Sequence, residues 1–283
     1  MIEVIKPGFY TTIQDLGRMN YHQYGVPYSG VMDKKSSKIA NALLGNREND
    51  AVLEITMTGP TLKFNTTTII SITGADLTPR INGDRVSLNR SISVNKEDVL
   101  SFDKLKYGYR CYLAVYGGFQ TETVMKSRSM YKNVTSQFTI QKEDRLPVLS
   151  LSKTIFKANA SIKIDKSHFS DPMLLTYKGP EFEHLPQSAQ KQLFSQNFNI
   201  SKDNNRMAYQ LEDIVENKLQ PIITSLVQPG TVQLTPSGKL IVLMADGQTA
   251  GGYPRILQLT DIAVSKLSQK FTSKKVRFVL KEN

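Results

Sequence analysis

Several turns of this sequence combine charged or amide side chains with glycine, and their residue types are those that bind ligands. The segments are "TIQDLGR" (12–18), "GVPYSGVMD" (25–33), "ITGAD" (72–76), "SRS" (127–129) and "NNRMAYQLE" (204–212). Their polar side chains of interest are Gln14, Asp15, Arg18, Ser29, Asp33, Asp76, Arg128 and Arg206. Backbone N–H groups just ahead of a helix favour an anion. Together the turns predict a polar binding site, although each one alone is explained as well by ordinary turn chemistry.

A further turn follows the most apolar run of the chain. "LIVLMA" (240–245) leads directly into "DGQTAGGYP" (246–254). The residues of interest in this turn are Asp246, Gln248, Gly251, Gly252 and Tyr253. A buried strand that ends in such residues is typical of a scaffold that delivers polar groups to a site. The alternative is that Asp246 only ties down its own loop.

The elements that position these turns have mostly the pattern of short β-strands. Val, Ile, Thr, Tyr and Phe are concentrated in 66–73, 86–94, 98–102, 109–116 and 276–280. "TVQLT", "PSGK" and "LIVLMA" (231–245) predict a hairpin. Many short strands with few helices predict a mainly β chain, built as a barrel or a sandwich.

Three segments have helical patterns instead. The first starts after Asp33, which can cap it, and the second covers 186–194. The third covers 260–269, where Ile262 and Leu267 are expected to be buried. A polar stretch between residues 146 and 170 then suggests two domains, 1–155 and 156–283.

Composition argues against several classes of protein. The formal net charge is +11, but the basic residues are scattered and no aromatic-basic motif accompanies them, so nucleic acid is not the expected partner. No apolar run approaches the roughly 20 residues that cross a bilayer. The N-terminus lacks a signal-peptide layout, and a single cysteine excludes an intrachain disulfide. We therefore expect a cytoplasmic protein without a membrane partner.

Familiar cofactor motifs are also missing from the sequence. There is no G-x-x-x-x-G-K-[ST] phosphate-binding loop, so ATP is not bound by a P-loop in this chain. His22, His168 and His184 stand far apart, and no metal site is predicted. Cys111 alternates with Leu113 along a strand and is expected to face the core.

The turn segments resemble a known family. "TIQDLGR", "YGVPYSGVMD", "ITGAD", "AVYGGF", "SRSMY" and "GTVQLTPSGKLIVLMADGQTAGGYPRI" occur in the order found in the biotin-dependent carboxyltransferase subunit family. That family comprises the allophanate-hydrolase-subunit-2-like proteins, including the C subunit of ATP-dependent 5-oxoprolinase and an antagonist of a sporulation-kinase inhibitor. The resemblance runs from Ile2 to about Leu280. It implies a pair of cyclophilin-like β-barrel domains.

The resemblance also implies an activity and partners. The 5-oxoprolinase reaction opens the lactam of 5-oxo-L-proline to L-glutamate with ATP hydrolysis. Its complex contains two further polypeptides: the B subunit, which is allophanate-hydrolase-subunit-1-like and similar in fold, and the A subunit. ATP would then act at the level of the complex.

Two alternatives come from the same family. The first is a carboxyltransferase acting on urea or another amide, with biotin on a separate carrier protein. The second is a non-catalytic regulator of the partner polypeptide that is similar in fold.

Site roles are implied by the same resemblance. Asp76 or Asp246 would move protons, and Arg128 would stabilise charge on phosphate or on the substrate carboxylate, so these three are the implied catalytic residues. Substrate binding is assigned to Gln14, Asp15, Arg18, Ser29, Asp33, Arg206, Gln248, Gly251, Gly252 and Tyr253. The family usually has arginine where this chain has Gly247, which removes a natural carboxylate or phosphate clamp. The resemblance therefore defines the fold more closely than it defines the substrate.

Overall fold

The computed structural model describes residues 1–150 and 160–281 of the 283-residue chain. Two compact units are present. Unit 1 comprises Met1–Arg18 and Ser29–Phe169, and unit 2 comprises Met19–Tyr28 and Ser170–Asn283. The domain boundary expected between residues 155 and 156 lies outside the described residues.

Unit 1 is built mainly of strands. Its elements are β1 (Ile2–Lys6), β2 (Tyr10–Gln14), α1 (Lys34–Ala42), β3 (Val52–Thr56), β4 (Thr61–Phe64), β5 (Thr68–Asp76), β6 (Pro79–Ile81), β7 (Asp84–Arg85), β8 (Ser91–Val94), β9 (Val99–Phe102), β10 (Tyr107–Val115), β11 (Arg145–Leu146) and α2 (Ser167–Ser170), whose last residue belongs to unit 2. The strands form a six-stranded sheet in the order β11-β1-β4-β9-β6-β7 and a five-stranded sheet in the order β2-β3-β10-β5-β8.

Strand β5 shows why these residues take these places. All nine of its residues are buried, because both faces of the strand are covered. Ile70 and Ile72 enter the apolar core, while Ser71 and Thr73 alternate to the opposite face. There the hydroxyl of Ser71 donates to the carbonyl of Ala40 (2.6 Å) and that of Thr73 to a carbonyl of the same helix, α1.

The register of the five-stranded sheet decides which turns can meet. Strand β2 runs antiparallel to β3 with Gln14 opposite Val52, so the turn that contains Asp15 lies at one end of the sheet. In the pairing of β10 with β5, Tyr107 lies opposite Asp76. Because Leu53, next to Val52, pairs with Leu113 at the far end of β10, Asp76 lies at the other end of this sheet.

Unit 2 contains a closed barrel. Its elements are β12 (Met173–Lys178), α3 (Gln187–Ser195), β13 (Phe198–Asn204), β14 (Ala208–Ile214), β15 (Ser225–Leu226), β16 (Thr231–Leu234), β17 (Lys239–Leu243), β18 (Ala250–Gly251), β19 (Arg255–Leu259), α4 (Asp261–Ser268) and β20 (Lys275–Leu280). The barrel closes in the order β12-β19-β16-β17-β14-β13-β20, and β15 pairs with β18.

Most of the expected elements are confirmed, and the mainly β architecture with them. The β16–β17 hairpin forms with Val232 opposite Val242. Asp33 caps α1 by accepting from the backbone N–H of Ser36 at 3.0 Å. The expectation that Ile262 is buried is wrong, because α4 buries the face that carries Ala263 and Leu267, and Ile262 is rotated by about 100° from Ala263.

Cys111 is fully buried in the core of unit 1, as its alternation with Leu113 predicts. Burial raises the pKa of its thiol above the ordinary value, and the negative charge of Asp76 raises it further. The thiol therefore stays protonated and behaves as a small apolar side chain.

A buried lysine gives unit 2 a pH-dependent stability. Lys270 is 4% exposed, and burial lowers the pKa of its amine to about 8; Asp171 opposes this shift, while Lys266 and Lys274 add to it. An unfolded chain holds this proton up to about pH 10.4. Between pH 8 and 10 the unfolded state therefore binds more protons, and the free energy of unfolding rises with pH.

Between pH 7 and pH 10, we expect the free energy of unfolding of the wild-type chain to rise by about 2 kcal/mol relative to that of Lys270→Met. The rise follows from the lowered pKa of Lys270. Urea denaturation followed by far-UV circular dichroism measures the free energy of unfolding of both chains at each pH. Lys275→Met, at an exposed position of β20, is the matched control and should show no such difference. Equal pH profiles for wild type and Lys270→Met would contradict the prediction.

Candidate functional site

The carboxylate of Asp15 joins two loops of unit 1. Its Oδ1 accepts from the backbone N–H of Gly17 (2.8 Å) and from the hydroxyls of Ser127 (2.6 Å) and Ser129 (2.7 Å). Its Oδ2 accepts from the backbone N–H of Arg128 at 2.7 Å. Four donors around one buried carboxylate fix both loops in register, because a hydrogen bond to a charged group is about twice as strong as a neutral one.

Gln14 and Arg18 extend the same junction. The Gln14 Oε1 accepts from the backbone N–H of Gly30 (3.1 Å), and its Nε2 donates to the carbonyl of Met130 (3.2 Å). The fully buried guanidinium of Arg18 donates to the carbonyl of Ser129. Both side chains therefore connect the predicted loops to one another.

Ser29 belongs to the third loop at this junction. It is buried and has a positive φ of 55°, and within residues 1–150 and 160–281 its hydroxyl has no hydrogen-bond partner. Two residues later, the backbone N–H of Val31 donates to the carbonyl of Asp15 at 2.9 Å. The structure thus brings together the predicted turns around Asp15, Ser29 and Arg128.

A polar cleft of about 450 Å³ opens beside this junction, within unit 1. Five charged side chains line it: Asp15, Arg47, Asp50, Lys126 and Arg128. Three positive and two negative groups leave a formal surplus of one positive charge. The carboxylate of Asp15 is already surrounded by donors, so the cleft favours an anion.

Arg128 is held in a fixed orientation at this cleft. Its guanidinium donates to the carbonyl of Thr121 and to the Oε1 of Gln120, the latter at 3.2 Å. A guanidinium has five N–H donors in a rigid fork, so these two contacts set the plane in which the others can meet a carboxylate.

Asp33, another predicted binding residue, is fully buried. Besides the cap on α1, its Oδ2 accepts from the hydroxyl of Ser36 (2.7 Å) and lies 2.8 Å from the Nε2 of His168. Its carboxylate is therefore used inside unit 1, in fixing the start of α1.

A buried network of polar side chains continues from Asp33, and no sequence motif indicates most of its residues. The backbone N–H of Asp33 donates to the hydroxyl of Tyr112 (2.7 Å), which itself donates to the Oε2 of Glu54 (2.8 Å). The Nε of Arg110 lies 3.8 Å from the Oε1 of Glu54. Burial raises the pKa of Tyr112 well above its ordinary value, and the charges of Glu54 and Asp33 raise it further, so the phenol keeps its proton and remains a donor.

One feature of the sequence does indicate this buried network. Glu54 stands in "VLEIT", where every other residue suits a buried strand. A carboxylate in such a strand must be paired, because an isolated buried charge is very costly. That reasoning predicts a partner for Glu54 without identifying Tyr112, Arg110 or His168.

Asp76 is not part of the junction around Asp15. It lies at the opposite end of the five-stranded sheet, accepts from the backbone N–H of Thr78 (2.8 Å) and has Arg85 at 3.6 Å. The structure therefore separates Asp76 from the cleft beside Asp15 and Arg128.

Unit 2 brings Arg206 and Asp246 together. The guanidinium forms a two-point ion pair with the carboxylate, Nε to Oδ2 at 2.8 Å and the second nitrogen to Oδ1 at 3.1 Å. The backbone N–H of Asp246 also donates to the carbonyl of Arg206 at 2.9 Å. Because both carboxylate oxygens are engaged, the pair fixes the loop that follows β17.

Gly251 of this loop lies against two side-chain amides. A Cβ at Gly251 would come within 2.6 Å of the Nε2 of Gln233 and equally close to the Nε2 of Gln248. Gln233 is buried, and its Nε2 has no hydrogen-bond partner in the part of the chain that the structure describes. Gly252 borders the carbonyl of Ile222 instead. Tyr253, the last of the predicted residues, is 38% exposed.

Membrane-spanning helices and metal-binding clusters are both absent from the described ranges. Within residues 1–150 and 160–281, no helix is long and apolar enough to cross a membrane. In the same residues, no group of three or more His, Cys, Asp or Glu side chains is placed to hold a metal ion.

Comparison with known proteins places the chain among carboxyltransferase domains. The family model "carboxyltransferase domain, subdomain A and B" matches residues 24–280. The C subunit of 5-oxoprolinase from Escherichia coli is 30% identical over 99% of this chain and 91% of that protein. The urea amidolyase of Lachancea kluyveri is 42% identical, but over 46% of this chain and 7% of the enzyme.

The fold agrees with that placement. The crystal structure of the Kluyveromyces lactis urea carboxylase aligns with a TM-score of 0.85 and 25% identity, over 99% of this chain and 27% of that much longer one. The family match spans more than half of the chain and the bacterial relative spans nearly all of it. This chain belongs to the carboxyltransferase domain family, subdomains A and B.

Proposed function

We propose that this chain is the C subunit of an ATP-dependent 5-oxoprolinase complex, which opens 5-oxo-L-proline to L-glutamate. The observation that carries the proposal is the collinear match to the bacterial C subunit, 30% identical over 99% of this chain. That match also covers 91% of the bacterial protein, whereas the urea amidolyase match covers 46% of this chain and 7% of that enzyme. The chain would act with the A and B subunits of the enzyme, with ATP used by the complex.

The cleft of unit 1 suits this substrate. 5-Oxo-L-proline carries one carboxylate, and Arg128 offers an oriented guanidinium beside a 450 Å³ cleft. In our proposal Arg128 binds the carboxylate, and Asp15 positions Arg128 through its backbone N–H. A two-point guanidinium–carboxylate pair supplies geometry as well as charge.

Opening 5-oxo-L-proline to L-glutamate with hydrolysis of ATP to ADP and phosphate consumes two waters. In the first step the γ-phosphoryl group of ATP passes to the lactam oxygen and ADP leaves. One water then adds to the ring carbon, the C–N bond breaks and the nitrogen takes a proton, and a second water releases the phosphate from the resulting acyl phosphate. Charge builds up on oxygen throughout, so fixed donors and cations at the site lower the barrier.

Reconstitution tests the proposal. The purified chain, mixed with its A and B subunits, should release glutamate from 5-oxo-L-proline only when ATP is present. Arg128→Leu should raise the KM for 5-oxo-L-proline at least about tenfold, a loss of ~1.4 kcal/mol in carboxylate binding. Arg145→Leu, at an exposed position of unit 1, is the matched control and should leave KM unchanged. A fully assembled complex that releases no glutamate would refute the proposal.

The local match to urea amidolyase, at 42% identity, favours a second candidate. In that case the chain would be the carboxyltransferase component for urea or another amide, and biotin would come on a separate carrier protein. Product formation would then depend on bicarbonate and on the biotinylated carrier. Glutamate release without either would exclude this candidate.

A further inference from the structure

A tight turn at the cleft of unit 1 has an unusual backbone. Val124 and Ser127 exchange two backbone hydrogen bonds, at 2.9 and 3.2 Å, so Met125 and Lys126 form a two-residue hairpin turn. Both central residues have positive φ, 51° for Met125 and 60° for Lys126. Residues other than glycine, asparagine and aspartate rarely adopt positive φ.

The same chain contains an ordinary turn of this kind for comparison. Strands β6 and β7 are joined by Asn82 and Gly83, with φ of 51° and 90°. Asn-Gly is the pair that such turns favour, because glycine has no Cβ to clash. A methionine and a lysine in the equivalent places are strained, and backbone strain of this kind concentrates at functional sites.

The turn places Lys126 at the cleft that already contains Arg128. Arg47 lies on the same cleft. In residues 1–150 and 160–281 neither Lys126 nor Arg47 forms an ion pair, so both charges are available to a ligand. One substrate carboxylate would occupy Arg128 and leave these two cations. Of the two carboxylates on the cleft, Asp15 is surrounded by four donors, and Asp50 accepts from the backbone N–H of Arg47 at 2.9 Å.

We propose that Lys126 and Arg47 form a subsite for a phosphoryl group next to Arg128. A phosphoryl group carries close to two negative charges and three acceptor oxygens, which matches two cations better than a second carboxylate would. Lysine serves as a compact point charge in phosphate sites, and Arg47 supplies a fork of donors. A binding role for the Lys126 side chain explains why a lysine stands where asparagine or glycine would fold more easily.

The inference rests on the proposed function only for the source of the phosphoryl group, which would be the nucleotide or the phosphate released from it. Binding itself is a property of the chain alone. Isothermal titration of the purified full chain with inorganic phosphate, with ADP and with 5-oxo-L-proline therefore tests it separately. ADP binding with weak phosphate binding would identify the nucleotide as the source, and the reverse would identify the free phosphate.

Two glycine variants separate the role of the side chain from that of the turn. Lys126→Gly and Met125→Gly both relieve strain, so each should unfold at the wild-type temperature or up to about 4 °C above it. Lys126→Gly should weaken phosphate or ADP binding at least tenfold, whereas Met125→Gly should change it less than twofold. Arg47→Gln, in an exposed loop, should weaken it at least fivefold. None of the three should alter binding of 5-oxo-L-proline by more than twofold.

The outcomes distinguish this inference from the proposed function. Wild-type affinity for phosphate and ADP in Lys126→Gly, or no binding of either by the wild-type chain at tens of millimolar, would overturn the subsite. Loss of phosphate binding in Lys126→Gly together with an assembled complex that releases no glutamate would keep the subsite and refute the 5-oxoprolinase proposal.

Discussion

Replacing Asp15 with asparagine is expected to lower the free energy of unfolding by about 3 kcal/mol. The carboxylate accepts four hydrogen bonds, and the amide of asparagine would present a donor to at least one of those N–H or O–H groups. A buried donor facing another donor loses a charge-assisted bond and leaves a group unsatisfied. Because Arg128 is anchored to Asp15, the KM for 5-oxo-L-proline should rise as well.

Urea denaturation measures the stability change, and the reconstituted glutamate assay measures KM. Asp84→Asn is the matched control: it makes the same chemical change at an exposed position of β7 and should alter stability by no more than about 0.5 kcal/mol. An Asp15→Asn chain as stable as wild type would mean that other contacts hold the two loops.

The second large effect concerns Arg206 and Asp246 in unit 2. Their side chains are 6% and 11% exposed, and the pair is joined at two points. Arg206→Met and Asp246→Asn should each lower the free energy of unfolding by about 3 kcal/mol, because each leaves a largely buried polar group without its partner. The double variant should recover at least ~1.5 kcal/mol of the summed loss, since neither charge is then left alone.

The double variant also separates two roles for Asp246. If the pair serves to position the loop, as its two-point geometry indicates, glutamate release by the reconstituted complex should return with stability. A stable double variant that stays inactive would show instead that Asp246 acts directly on the substrate. The double-mutant cycle in urea, followed by the activity assay, provides both readings.

Local patterns explain why much of the fold is predictable. The β16–β17 hairpin follows from alternating apolar residues around "PSGK", and the start of α1 from the capping side chain of Asp33. Both signals depend on neighbours within a few residues. The predicted burial of Ile262 is wrong, because the apolar residues of α4 alone do not tell which face meets the barrel.

The candidate site is only partly predictable for the same reason. The turns around Asp15, Ser29 and Arg128 are recognisable as polar, and the sheet register then brings them together. The same register places Asp76 at the other end of the sheet. His168 joins Asp33 across 135 residues of sequence, a separation that no local pattern can encode.

Periodicity, turn residues and ordered motifs are properties of neighbouring positions, so they are enough to establish the class of fold, the family and the residue types available for chemistry. Three other features arise only in the folded chain. The fold decides which of those residues line the same cleft and which carboxylates are used in hydrogen bonds that hold loops and helix ends. It also forms the strained turn that places Lys126 on the same cleft as Arg128. These depend on strand register and on backbone dihedral angles, which are fixed only when distant segments pack against each other.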